Sequence, residues 1–250
     1  MKPTTTILIG APLSGKEARF LRTLDADLGG TEALILAKFD TRRQIDFVVV
    51  TPIYAALLEL KNYDQPIFGQ QNGAWEFLDF AGARVRSSME NPWQQTKEEK
   101  FALSDEMLKF QKRNTGVPLA ASRGYFTQFA AFVCIYPQIH PESQVWAGDK
   151  KVAIASYRDV INAIKSCSIP STWGLHEWRR FAVHHLSLTE VTLEEATDPA
   201  VNAAVGKIRD YRARIAAVIG TALPPLLSGS ERTDYGQRLV EACWSPEIFS

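Results

Sequence analysis

The stretch QIDFVVV-TPIY-AALLELK, residues 44–61, constrains this chain more than any other. Two runs of aliphatic and β-branched residues flank a short turn that holds a proline, and they read as adjacent antiparallel strands. Side chains alternate faces along a strand, so Glu59 and Lys61, two apart, point the same way. With TPIY as a four-residue hairpin loop, Val50 pairs with Ala55, and counting back along both strands sets Asp46 directly opposite Glu59. Such partners stand about 4.5–5.5 Å apart on one face.

Two carboxylates held that close repel each other unless something positive lies between them. One reading makes Asp46 and Glu59 solvated residues of an exposed face, with Lys61 as their ion-pair partner. The flanks argue for another. Val48, Val50 and Leu57 share the acids' side, so the charges are embedded in an apolar surface and call for a reason. A divalent cation supplies one: two carboxylates, with water and phosphate completing the shell, describe a Mg2+ or Mn2+ site that works on a phosphodiester. Lys61 then holds the attacking water and offsets phosphate charge.

Around this hairpin the pattern alternates. Ala18, Leu21, Leu24 and Leu28 recur three or four apart and predict a helix from Gly15 to about Leu28, ended by Gly29-Gly30. EALILAKF reads as a strand, AWEFLDF as a short one, Thr96 to Arg113 as a long helix, and FTQFAAFVCIYP as a buried central strand. QVWAGDKKVAIASYRDVINAIK reads as a further strand and helix. This order predicts an α/β or α+β domain. Beyond residue 166 the texture turns helical: a segment capped by Ser171, a long TLEEATDPAVNAAVGKIRDYRARIAAVIG helix interrupted near Pro199, and a last YGQRLVEAC helix. The division expected is therefore 1–165 and 166–250.

A competing motif precedes the first helix. ILIGAPLSGKE, residues 7–17, matches G-x-x-x-x-G-K-[ST] up to Lys16 and then sets Glu17 where the metal-binding hydroxyl belongs. That glutamate adds negative charge beside the phosphates a P-loop would hold, and Asp46 begins its apolar run rather than ending it, so nucleotide binding is the weaker reading. Gly15 reads as the start of the helix and Lys16 as a solvated residue or a DNA-backbone contact.

Lys plus Arg equals Asp plus Glu at 28 each, so nucleic-acid binding has to come from a local patch. Arg42, Arg43, Arg84 and Arg86 flank the proposed cleft and are the candidates, alongside their alternative as ordinary solvated charges. Trp75, Trp93 and Trp146 read as core or cleft-wall packing. The four histidines lack metal spacing, and HEWRR is not H-E-x-x-H because Arg180 stands at the second histidine's position. Cys134, Cys167 and Cys243 are far apart, which indicates a reducing compartment rather than a disulfide scaffold. With no signal-like start and no span-length apolar run, the expected location is cytoplasmic.

Taken together, GKEARFLRTL, QIDFVVVTP, ALLELKNYDQPIFGQQNGAW, NPWQQT and AFVCIYP resemble, in that order, the NERD (nuclease-related) domain, a branch of the PD-(D/E)xK restriction-endonuclease-like superfamily. The likeness spans roughly residues 15–165. It implies a restriction-endonuclease-like mixed β-sheet core flanked by helices, here followed by a C-terminal helical region. It further implies Asp46 and Glu59 as metal ligands, Lys61 as the catalytic lysine, Glu17 as the first-helix glutamate facing the same cleft, and Gln95 as a contact to the site or the substrate backbone. TPIY lacks the glycine usual in that turn.

Two functions from different classes follow. The first is a Mg2+- or Mn2+-dependent nuclease acting on DNA, in processing, repair or defence against foreign DNA. The second is a catalytically idle DNA-binding or assembly module serving a helicase, kinase or ATPase partner, since domains of this kind are often joined to such modules. A P-loop-like nucleotide-binding protein stands third.

Overall fold

The computed structural model describes residues 5–79, 81–115, 128–149, 151–167 and 173–200. Along the chain run β1 (Thr5–Ile9), α1 (Gly15–Leu28), β2 (Ala33–Asp40), β3 (Gln44–Thr51), β4 (Tyr54–Lys61), β5 (Ile67–Gly69), β6 (Glu76–Leu78) and β7 (Arg84–Arg86). They are followed by α2 (Pro92–Thr115), β8 (Ala130–Ile135), β9 (Gln144–Val145), β10 (Ala153–Ser156), α3 (Tyr157–Ser166), α4 (Leu175–His184), β11 (Thr189–Val191) and α5 (Leu193–Thr197).

Seven strands form one mixed sheet in the order β10-β8-β4-β3-β2-β1-β11. β2, β3 and β4 make an antiparallel meander, and β4 continues into parallel β8 and β10. A sheet with covered faces has to be apolar on both, which is why β8 and β4 as far as Leu58 read as hydrophobic runs rather than alternating ones. One face carries α1, α3 and α5 over Ile35, Phe47, Val49 and Leu58. The other carries α2 and α4 over Leu36, Val48, Leu57 and Val133. This is an α/β architecture of the restriction-endonuclease-like kind. β5, β6, β7 and β9 form a separate four-stranded sheet.

The β3–β4 turn is tighter than the sequence reading had it. Thr51 pairs with Tyr54, leaving only Pro52 and Ile53 in the loop. Val50 still pairs with Ala55, because removing one residue from each end of a loop leaves the register unchanged. The apolar run ahead of the first helix, not counted as a strand from sequence, is β1, parallel to β2.

α2 begins at Pro92, four residues before the predicted start, because Asn91 caps it. The Asn91 carboxamide oxygen accepts from the Trp93 and Gln94 amides, while its nitrogen donates to the carbonyls of Gln70, Gln71 and Gly73. Proline at the first helical position costs nothing, since its missing N–H would have no intrahelical partner there. The cap thus ties the start of α2 to the loop after β5.

Residues 173–200, assigned from sequence to the extension beyond 166, return to the sheet. β11 pairs antiparallel with β1, α4 covers β2 and β3, and α5 lies on α1. Thr192 caps α5, which stops at Thr197, just before the break expected near Pro199. The Ser171 cap, the helix beyond residue 200, the YGQRLVEAC helix and Cys243 lie outside the described residues. Among the described residues no helix is long and apolar enough to cross a membrane.

Candidate active site

The register of β3 and β4 carries the acids. Phe47 pairs with Leu58, so one step further Asp46 lies across from Glu59. The ladder does not continue as backbone pairs there. Instead the Asp46 Oδ2 atom accepts the Leu60 amide at 3.0 Å. Glu59 and Lys61 share the sheet face that α2 covers, and they are 3% and 9% exposed.

Gln95, in the first turn of α2, organises this pair. Its Nε2 donates to Glu59 Oε1 at 2.7 Å and to Glu99 Oε1 at 2.8 Å, and its Oε1 accepts from Lys61 Nζ at 3.1 Å. Lys61 Nζ also donates to Glu59 Oε1 at 2.7 Å. Both donors therefore converge on one oxygen of Glu59. Glu59 Oε2 and Glu99 Oε2 are buried and have no hydrogen-bond partner.

A second chain of contacts reaches Asp46 from α1. Ser14 and Glu17 form a capping box: the Glu17 amide donates to Ser14 Oγ at 3.3 Å, and the Ser14 amide donates to Glu17 Oε2 at 2.6 Å. The other Glu17 oxygen holds Lys38 Nζ at 2.5 Å, and Lys38 reaches Asp46 Oδ1 at 3.4 Å. The P-loop reading has its physical answer here. At the start of α1 the Ser14 amide is taken by the chain's own Glu17 carboxylate and the Glu17 amide by Ser14 Oγ, and Lys16 is exposed.

Lys38 and Glu99 are the two site residues that sequence reasoning missed. Lys38 adopts φ +47°, the left-handed region that a side chain enters at a cost of roughly 1–2 kcal/mol. Alternation breaks at that level: Ala37 and Phe47 lie in the core under α1, whereas Phe39 and Ile45, two residues further, lie in the core under α2. A charged residue inside the apolar run ALILAKFD was the available signal. For Glu99 it was the four-residue spacing from Gln95 on one helix face.

Charge in the site follows burial and neighbours. Burial, then the charge of Asp46, pushes the Glu59 carboxyl above the usual carboxylate range despite Lys61. Burial and the charge of Glu59 push Glu99 up as well. Burial favours the neutral amine of Lys61, but Glu59's charge and hydrogen bond outweigh it, so Lys61 remains an ammonium ion. Burial likewise opposes the charge on Glu17, yet the Lys38 and Ser14 contacts win and hold its carboxyl low.

Above the ordinary value of 4.5, folded Glu59 and Glu99 keep protons that the unfolded chain has released. The pair's contribution to stability therefore declines as pH rises above that value. We expect the metal-free Glu99→Gln variant, which removes one titration and relieves the other, to gain in Tm relative to the parent between about pH 6 and about pH 9. A constant difference across that range would contradict the raised carboxyls.

The basic candidates divide. Arg42 is bound to Asp105 at 2.6 Å, and Arg43 is held by Glu90 at 3.0 Å and by Glu98. Arg84 and Arg86 are exposed on β7, with the Arg84 guanidinium 3.8 Å over the Phe68 ring. Trp75 and Trp93 are core residues, and Trp146 packs edge-on against Trp93. His185 pairs with Glu106 at 2.8 Å.

Among the described residues no three His, Cys, Asp or Glu side chains converge as a ready-made metal cage. The donor set nevertheless suits a hard cation that keeps most of its water, because Mg2+ needs only one or two carboxylates from the protein. The partnerless Glu59 oxygen is the observation that fits it.

Residues 15–133 match the family model described as NERD, nuclease-related domain. No curated protein and no solved structure gives a significant match to the chain.

Proposed function

Since residues 15–133 are a nuclease-related domain of the restriction-endonuclease-like superfamily, we propose that this chain hydrolyses phosphodiester bonds of DNA with Mg2+ or Mn2+. The observation that supports it is the cluster of buried Glu59 and Lys61 with half-buried Asp46 and Gln95, in which one Glu59 oxygen is fully engaged and the other is left without a partner.

Asp46 and Glu59 would hold the cation, which when bound polarises the phosphate and lowers the pKa of a water. Lys61, kept protonated by Glu59, is an electrostatic and positioning group rather than a general base: its ammonium orients water and meets phosphate charge. Gln95 sets the Glu59 rotamer by hydrogen-bonding Oε1. Glu17 acts on Asp46 through Lys38. Lys16, Arg84 and Arg86 are exposed and available to DNA phosphates, whereas Arg42 and Arg43 have to exchange acidic partners to reach them.

Incubation with supercoiled plasmid, linear DNA and RNA under Mg2+, Mn2+ or EDTA tests this directly. We expect DNA cleavage with either metal, and none with EDTA or in Asp46→Ala. No cleavage with any divalent metal, or full activity in Asp46→Ala, would refute it.

A second reading, a DNA-binding or assembly module for a helicase, kinase or ATPase partner, draws on one feature: Lys38 already neutralises Asp46 within the chain. DNA binding that persists without metal, with no cleavage, would favour it. A role in DNA repair, recombination or defence rests on family analogy. A cytoplasmic location remains part of this proposal.

A further inference from the structure

Glu99 is fully buried on α2, yet only one of its carboxyl oxygens is engaged. Its neighbour Glu59 is in the same condition. A single amide nitrogen, Gln95 Nε2, takes the Oε1 atom of each, using both of its hydrogens. The arrangement spends every donor of Gln95 on the two inner oxygens and leaves the two outer ones dry and unsatisfied. Leaving such oxygens without a partner is costly, about 1–3 kcal/mol for each. Lys61 cannot serve the outer oxygens, because its contacts are Glu59 Oε1 and Gln95 Oε1. Lys38 is engaged with Glu17 and Asp46.

We propose that Glu99 is a cation ligand: Glu59 Oε2 and Glu99 Oε2 together seat a divalent metal ion, and Gln95 holds both carboxylates in the ligating rotamer. This rests on the metal-dependent reading above and adds a ligand to it. Asp46 has the Leu60 amide and Lys38 as partners, whereas the outer oxygens of Glu59 and Glu99 have none, so Glu99 is the added ligand beside Asp46 and Glu59.

Mn2+ alone is the probe. It is titrated into the full chain and followed by calorimetry and by the loss of the free-ion electron paramagnetic resonance signal. The parent is expected to bind, and Glu99→Gln, which keeps shape and the contact to Gln95, is expected to bind at least about tenfold more weakly. Unchanged Mn2+ affinity in Glu99→Gln, with loss of affinity in Asp46→Asn and intact cleavage, would overturn this ligand assignment and leave the nuclease reading standing. A parent chain that takes up no Mn2+ and cuts no DNA would overturn both. Should Glu99→Gln fail to fold, Glu99→Asp carries the test, since retracting the oxygen by one methylene has to weaken Mn2+ binding, and unchanged affinity would refute the assignment.

Discussion

If the chain is the DNA nuclease proposed above, Lys61→Met is expected to lower the cleavage rate by roughly 10²–10³-fold, the cost of removing one preorganised charge aimed at a developing anion. Methionine keeps the apolar stem and deletes only the ammonium. In the folded protein that ammonium is about nine-tenths buried and touches Glu59 and Gln95, so its field acts in a poorly screened setting. The variant stays folded because Gln95 still donates to Glu59, and Glu59, already pushed toward its neutral form by burial, can take up a proton. Cleavage kinetics beside a thermal melt separate the two effects. A Lys61→Met protein that cuts within about threefold of the parent would remove Lys61 from the chemistry, since ordinary electrostatic contributions are far larger.

Trp93→Ala is expected to cost about 3–5 kcal/mol of stability, among the largest single losses available in this fold. Trp93 is 1% exposed, its indole Nε1 donates to the Val152 carbonyl at 3.1 Å, and its ring meets Trp146 edge-on at 5.4 Å. It stands in the first turn of α2, two residues before Gln95, so it locks the approach to β10 against the helix that carries Gln95 and Glu99. Trp93→Phe retains most of the packing but leaves the Val152 oxygen without its donor, and should cost roughly 1–3 kcal/mol. Urea midpoints at constant m-value measure both. An alanine variant within about 1 kcal/mol of the parent would show that this corner repacks around the missing ring.

These two residues illustrate different degrees of legibility. Lys61 could be found without any structure, because strand alternation forces it onto the side of Glu59 and the hairpin register brings Asp46 across. Even a misjudged loop did no harm, since shortening TPIY symmetrically preserved every pair. Trp93 was read correctly as packing, but its partners were out of reach of sequence reasoning: Val152 is 59 residues away, in the segment just before β10.

What residues 44–61 and 15–28 encode is local. A period of two, a period near 3.6 and a turn already decide which side chains share a face, so the strands, the first helix and the Asp46, Glu59 and Lys61 set follow from the chain's covalent order. Folding in three dimensions decided the rest. α2 starts at Pro92 only because Asn91 finds three carbonyls of the loop after β5, and that earlier start puts Gln95 and Glu99 one turn apart above Glu59. Written as TKEEK, Glu99 looks like part of a solvated charged face; burial under the β4–β8 sheet makes it a member of the site. Lys38 turns toward Asp46 by adopting a left-handed backbone that no residue pattern announces, and β11 closes the sheet edge beside β1 across more than half the chain. Such choices depend on contacts between segments distant in sequence, whose energies exist only once the sheet has assembled.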